Sequence, residues 1–208
     1  MNVGIFGGTF DPVHRGHLAV ARAAQQAFRL ARIYFVPADL PPHKRRVPIT
    51  PYAHRYAMLA LALRDEPKFV PSTMEARDGA ARPNYTLDTV RRFRATLPTR
   101  DRLFFIIGID AFLDFDTWHK PREVMKEVEF IVVSRPGYDD RRPAIMGSRV
   151  HWLGSVAEDV SSTSLRSALA KGKVSKRFLD EAVVDYIRKE HLYGARDKGR
   201  GTRAKRSS

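Results

Sequence analysis

An open, mostly parallel α/β sheet is the fold this sequence predicts, and three observations predict it. Apolar runs of strand length alternate with segments of helical spacing along the chain. The opening residues hold a strand, a glycine pair, a helix and a second strand, a βαβ unit whose strands pair in parallel through a right-handed crossover. The 208 residues, 43% apolar, 10% aromatic and 29% charged, suit one globular domain with a core of its own.

Taken in order, residues 2–6 (NVGIF) read as a short buried strand and residues 17–28 (HLAVARAAQQAF), rich in Ala and Leu, as a helix. Residues 32–37 (RIYFVP) are the second strand. Pro41, Pro42 and Pro48 bracket a basic segment that is neither helix nor central strand, and so a loop. Residues 52–63 return to helical spacing, 69–71 read as a strand end, and 86–97 as a further helix. LFFIIG, residues 103–108, is the most apolar strand candidate. FIVVS, residues 130–134, is another strand, closed by Arg135, Pro136 and Gly137, and residues 150–153 are a last short one. Helices over 164–170 and 178–191 complete a single domain, 1–193. The Gly-, Arg- and Lys-rich tail, 194–208, is expected to be disordered. No internal repeat is present. In such a sheet, ligands bind beyond the carboxyl ends of the strands.

The balance of charge is basic: 37 Lys and Arg against 23 Asp and Glu give +14 and a pI of about 10.4. The tail, with six basic residues and one acid, contributes +5 and leaves +9 on residues 1–193. Anionic partners are favoured, and phosphorylated metabolites and nucleic acid both present phosphate oxygens to Lys and Arg. No RNP-like aromatic strand or other standard motif appears, so no specific nucleic-acid partner is expected. The absence of cysteine excludes disulfides and thiolate metal sites. Residues 2–6 are too short for a signal peptide, and no apolar stretch approaches the roughly 20 residues of a membrane span. A soluble cytoplasmic protein without a membrane partner is the expectation.

The candidate chemistry begins at MNVGIFGGTFDPVHRGH. If Gly7 and Gly8 turn the chain from strand to helix, the backbone there can approach a ligand closely, because glycine lacks a Cβ and tolerates positive φ. A helix start gathers free N–H groups and the positive end of the dipole, which together bind phosphate. His14 and His17, three apart, share a face of the first turn and can add two imidazole donors. The plain alternative is a turn followed by histidines that cap or decorate a helix. The stretch is not a P-loop, which needs Lys followed by Ser or Thr, nor a GxGxxG fingerprint, and no HExxH cluster suggests zinc. A second phosphate candidate is SSTSLR: hydroxyls that cap a helix leave its N–H groups for an anion, and Arg166 adds a fork of donors, though ordinary capping is the competing reading. Asp110, after Gly108 and the LFFIIG strand, stands where a carboxylate accepts ribose hydroxyls or caps a helix. Trp118 can stack on a planar ring or belong to the core. Tyr85 and Thr86 start a helix, and Lys44, Arg45 and Arg46 can close over polyphosphate or stay solvated.

The segments GGTFDPVHRGHL, VPADLPPHK, NYTLDTV, GIDAFLDFDTW, SRPG, SSTSLR and DYIRKEHLY together resemble the bacterial nicotinate-nucleotide adenylyltransferases of the HxGH nucleotidyltransferase superfamily, over residues 2 to about 193. Two departures are Val160, where Ile is usual before SST, and Leu179-Asp180-Glu181, where a Pro is usual. The resemblance implies the Rossmann-like nucleotidyltransferase fold, with helices on both faces of the sheet. It implies transfer of AMP from ATP to nicotinate mononucleotide, giving deamido-NAD and pyrophosphate, with Mg2+ carried on the ATP phosphates and no protein metal ligands. By motif position, His14 and His17 look like the catalytic imidazoles on the ATP phosphates, with Thr9 and the Gly7-Gly8 backbone beside them. Ser162, Thr163 and Arg166 look like the groups for the departing phosphates, and Lys44 like the loop cation. Gly108 and Asp110 look like the adenosine ribose contacts. Tyr85, Thr86 and Trp118 look like the pocket for the pyridine ring and its carboxylate, with a backbone N–H from His119 as a further donor. A sister transferase acting on pantetheine phosphate would share the phosphate motifs but not this pocket.

Overall fold

The computed structural model describes residues 1–39, 48–76, 84–134, 149–154, 156, 160–173 and 176–194. Among them are six strands: β1 (Asn2–Gly8), β2 (Arg32–Pro37), β3 (Phe69–Pro71), β4 (Arg102–Gly108), β5 (Glu129–Val133) and β6 (Val150–Leu153). They form one sheet in the order β3-β2-β1-β4-β5-β6, and every pairing is parallel. The chain builds outward from β1 on one side, then returns to lay β4 on the other. The order therefore reverses between β1 and β4, which places a ligand crevice beyond their carboxyl ends, at Gly8 and Gly108.

The helices described are α1 (Arg15–Ala27), α2 (Tyr52–Leu63), α3 (Thr86–Thr96), α4 (Ile109–Leu113), α5 (Pro121–Glu127), α6 (Ser162–Ala170) and α7 (Glu181–Lys189). Successive strand residues point to opposite faces, and the sequence supplies apolar residues to both. Ile33, Phe35, Phe104, Ile106 and Ile131 join Leu18, Met58, Leu165 and Val184 in one core, under α1, α2, α6 and α7. Val3, Ile5, Leu103, Phe105 and Val132 join Val90, Phe93, Phe112 and Val124 in the other, under α3, α4 and α5. The expected architecture, a parallel sheet with helices on both faces, is the one observed. No described helix is long and apolar enough to cross a membrane.

Several boundaries differ from the sequence expectation, each for a local reason. α1 begins at Arg15 rather than His17, because His14 already stands at the N-cap in an extended conformation. α6 begins at Ser162 rather than Ser164, because Ser161 is its cap and accepts the Ser164 N–H at 3.1 Å. α7 starts only at Glu181, where Asp180 Oδ1 accepts the Ala182 N–H at 2.9 Å. The short α4 and α5 escape a periodicity reading, since neither completes enough turns to show a stripe. The glycine pair is also a correction: Gly7 and Gly8 are the last residues of β1, not a turn, and the positive φ falls on Phe10 at 48°. What Gly8 needs is space, because a Cβ there would lie 3.0 Å from the Phe10 ring.

Candidate active site

The turn from Thr9 to His14, leading from β1 into α1, is held from three directions. Arg55 of α2 donates from Nη1 to the Thr9 carbonyl at 2.8 Å and from Nε to the Thr50 carbonyl at 2.8 Å. From α6, Arg166 Nη1 donates to the Asp11 carbonyl at 2.8 Å and the Ser162 hydroxyl to the Pro12 carbonyl at 3.0 Å. The Asp11 side chain, 3% exposed, accepts the Tyr193 hydroxyl at 2.5 Å and the Thr50 N–H at 3.2 Å. With the Thr9, Asp11 and Pro12 carbonyls and the Asp11 carboxylate engaged, the turn is fixed by residues far apart in sequence.

At its end stand the two histidines. Their rings are stacked, centroids 3.7 Å apart, and His17 also meets the Phe10 ring edge-on at 5.0 Å. The His14 N–H donates to His17 Nδ1 at 3.2 Å. An Nδ1 that accepts leaves the proton of a neutral imidazole on Nε2, so this bond selects the tautomer of His17. Gly16 between them is required by packing: a Cβ would lie 3.0 Å from His14 Nδ1 and 3.0 Å from Val160 Cγ1. The residue type at 16 thus keeps the His14 ring where it is.

The second motif comes to the first across 150 positions of sequence. Ser162 and Thr163 open α6 with Arg166 one turn inside, where Arg166 Nη2 also approaches Thr163 Oγ1 at 3.3 Å. The first turns of α1 and α6 hold no acidic residue of their own, although the Arg15 N–H is taken by the Phe178 carbonyl at 2.8 Å and the Ser164 N–H by Ser161 Oγ at 3.1 Å. Two helix N-termini, two imidazoles and a guanidinium gathered about one turn form an arrangement suited to a chain of phosphates.

The remaining candidates line the same edge of the sheet. Gly108 ends β4 and caps α4, which carries Asp110 in its first turn. Thr86 is the first residue of α3 and Tyr85 its N-cap, so the Thr86 N–H is one of the helix's unpaired first-turn donors. The Tyr85 ring stacks on His119 at 4.3 Å, and Trp118 packs half-buried on Phe105 and Phe115 at 6.1 and 5.3 Å. Phe105 in turn lies 3.1 Å from where a Gly7 Cβ would stand, so Trp118 and the end of β1 rest on one aromatic side chain. Lys44 lies outside the described residues, with Arg45 and Arg46.

Sequence reasoning missed Asp11, Arg55, Glu75 and Tyr193. Asp11 sat inside the histidine motif, and Arg55 was the one charge central to the apolar stretch YAHRYAMLALAL. Arg55 is 1% exposed; burial pulls its pKa below the ordinary value, while Asp11 and Asp39 oppose that pull. Burial likewise pushes the Tyr52 hydroxyl up to about 12. Glu75 is half-buried, and its carboxyl accepts the Thr89 hydroxyl at 2.7 Å. Burial raises its pKa to about 7, against that hydrogen bond and the charge of Arg92.

The cytidylyltransferase-like family model matches residues 5–168. A Solibacter usitatus protein named as a probable nicotinate-nucleotide adenylyltransferase is 44% identical over 193 residues, covering 93% of this chain and all of that one. Proteins of the same name from Moorella thermoacetica and Thermus thermophilus are 40% and 39% identical, over 95% and 93% of this chain and 94% and 100% of theirs. Among solved structures, Plasmodium falciparum nicotinic acid mononucleotide adenylyltransferase complexed with NaAD superposes with a TM-score of 0.76 at 19% identity, over 94% of this chain and 98% of that one.

Glu75 generates a pH prediction. Its folded pKa of about 7 is above that of a solvated carboxyl, so the folded state binds more protons in the interval between them and stability falls as pH rises through it. Glu75→Gln removes the buried charge and keeps an acceptor for Thr89. In urea titrations the variant should match the wild type near pH 4.5 and exceed it by about 3 kcal/mol at pH 8. A wild type no less stable than the variant at pH 8 contradicts this placement of the carboxyl.

Proposed function

The chain belongs to the cytidylyltransferase-like family and, within it, to the nicotinate-nucleotide adenylyltransferases; on that premise we propose how its own residues transfer AMP from ATP to nicotinate mononucleotide. The observation that carries the reading is the docking of SSTSLR onto the Thr9–His14 turn through Ser162 and Arg166, which joins two phosphate-suited helix starts into one site.

A phosphate oxygen of nicotinate mononucleotide attacks the α-phosphorus of ATP. The bond from that phosphorus to the bridging oxygen of the β-phosphate breaks, pyrophosphate leaves with the electron pair, and the new P–O–P linkage is the dinucleotide. The nucleophile is already an anion, so the protein need supply neither a strong base nor a nucleophile of its own. Its work is positioning and neutralisation of charge. In this reading His14 and His17 face the α- and β-phosphates as catalytic donors, with the Gly7-Gly8 and Thr9 backbone beside them. Ser162, Thr163 and Arg166 receive the departing pyrophosphate, and Lys44 adds a cation from its loop. Gly108 and Asp110 hold the adenosine ribose. Magnesium would be carried by ATP and held by phosphate oxygens and water, where the basic surroundings favour the polyphosphate itself.

The acceptor pocket distinguishes acid from amide through its donors. Trp118 can stack on either pyridine ring, so stacking selects neither. The Thr86 N–H and hydroxyl, the dipole of α3 and a backbone N–H at His119 all favour a carboxylate, which only accepts, over a neutral amide that also donates.

Two outcomes test the assignment. His17→Ala should keep the fold and lose about 100-fold or more in kcat, as removal of one donor to developing charge does elsewhere; wild-type turnover in the folded variant would contradict the role. The wild type should prefer nicotinate mononucleotide over the nicotinamide form by about 100-fold in kcat/KM, from two mismatched charge-assisted contacts. Thr86→Ala should narrow that ratio. Equal use of acid and amide would overturn the pocket, and unchanged selectivity in Thr86→Ala would move recognition off this residue.

A further inference from the structure

Building on the reading of Arg166 as a donor to the leaving phosphates, we propose that Tyr193, far from any family motif that touches phosphate, is a positioning residue for pyrophosphate: its hydroxyl fixes Asp11, and Asp11 fixes Arg166. Tyr193 lies in a 3-10 segment (Leu192–Gly194) after α7. Its hydroxyl reaches 182 positions back along the chain to donate to Asp11 Oδ1 at 2.5 Å, and the Thr50 N–H holds Oδ2 at 3.2 Å. With both carboxylate oxygens fixed, the Asp11 main chain has one orientation, and its carbonyl takes Arg166 Nη1 at 2.8 Å. The guanidinium is thus aimed by a hydroxyl that does not touch it.

Two further observations favour a positioning role over plain packing. Tyr193 occupies the left-handed region at φ 58°, ψ 22°, a conformation unfavourable for an aromatic residue and retained where surrounding contacts over-determine it. Burial and the Asp11 hydrogen bond both hold its ionisation above the ordinary value for tyrosine, so it remains a donor throughout the working range of pH. The ring itself packs on the core shared by α6 and α7, so Tyr193→Phe keeps that packing and removes one oxygen.

The test is isothermal titration of inorganic pyrophosphate into wild type, Tyr193→Phe, Arg166→Ala and the double variant, with circular dichroism to verify folding and steady-state kinetics alongside. Tyr193→Phe should weaken pyrophosphate binding and lower kcat by about 5- to 10-fold, the loss of one hydrogen bond partly transmitted. KM for nicotinate mononucleotide should stay within about twofold. In the Arg166→Ala background the same substitution should change pyrophosphate affinity less than about twofold, because its route of action is gone. Wild-type affinity in Tyr193→Phe, or an equal loss with and without Arg166, overturns the proposal. Arg166→Ala that binds pyrophosphate as the wild type does overturns instead the reading of Arg166 itself. Should Tyr193→Phe not fold, Asp11→Asn and Asp11→Ala replace it: Asn can still bond both Tyr193 and Thr50, so it should retain most of the affinity that Ala loses, and equal loss in both contradicts the strut.

Discussion

In the turn that leads from β1 into α1, backbone carbonyls are engaged by donors brought from elsewhere in the chain, and those bonds organise this end of the molecule. The carbonyls of Gly8, Thr9, Asp11 and Pro12 accept from Ala38, Arg55, Arg166 and Ser162, donors on three separate segments. The two helices that supply Arg55 and Arg166 are packed on the same face of the sheet as α1. Burial of apolar side chains beneath α2 and α6 is therefore what delivers two guanidinium groups to the turn. Stability of the core and geometry of the site are the same set of contacts seen from two sides.

The placement of a buried arginine beside a buried carboxylate has a cost that the arrangement offsets locally. Arg55 loses hydration, which disfavours its charge, and regains two carbonyl acceptors, the face of Tyr52 at 5.5 Å and the field of Asp11. Asp11 loses hydration and regains a hydroxyl and an amide N–H. The two groups are satisfied by the turn after β1, by Thr50 before α2 and by the Tyr193 segment together, so the site assembles with the fold rather than after it.

Much of this was legible in the sequence, and the limits have physical causes. The parallel sheet followed from the alternation of strand-length apolar runs with helical segments and from the opening unit of β1, α1 and β2. The histidine pair and SSTSLR stood out because short-range spacing defines them. Asp11, Arg55 and Tyr193 did not, because their roles come from contacts 39 to 182 positions away, and local periodicity carries no such information. The glycine pair was misread as a turn: absence of a Cβ serves positive φ and close packing equally well, and only the Phe10 and Phe105 rings beside Gly8 and Gly7 decide between them.

We propose that this chain acts by holding two phosphorylated reactants in line, with no covalent bond to any of its own side chains. Stereochemistry at the α-phosphorus tests that claim most directly. With ATP made chiral at the α-phosphorus by a single sulfur substitution, one direct displacement inverts the configuration in the dinucleotide product, whereas passage through an adenylylated side chain inverts twice. Inversion is the result predicted; retention of configuration would mean that a residue of the protein, His14 and His17 first among them, attacks phosphorus rather than stabilising it.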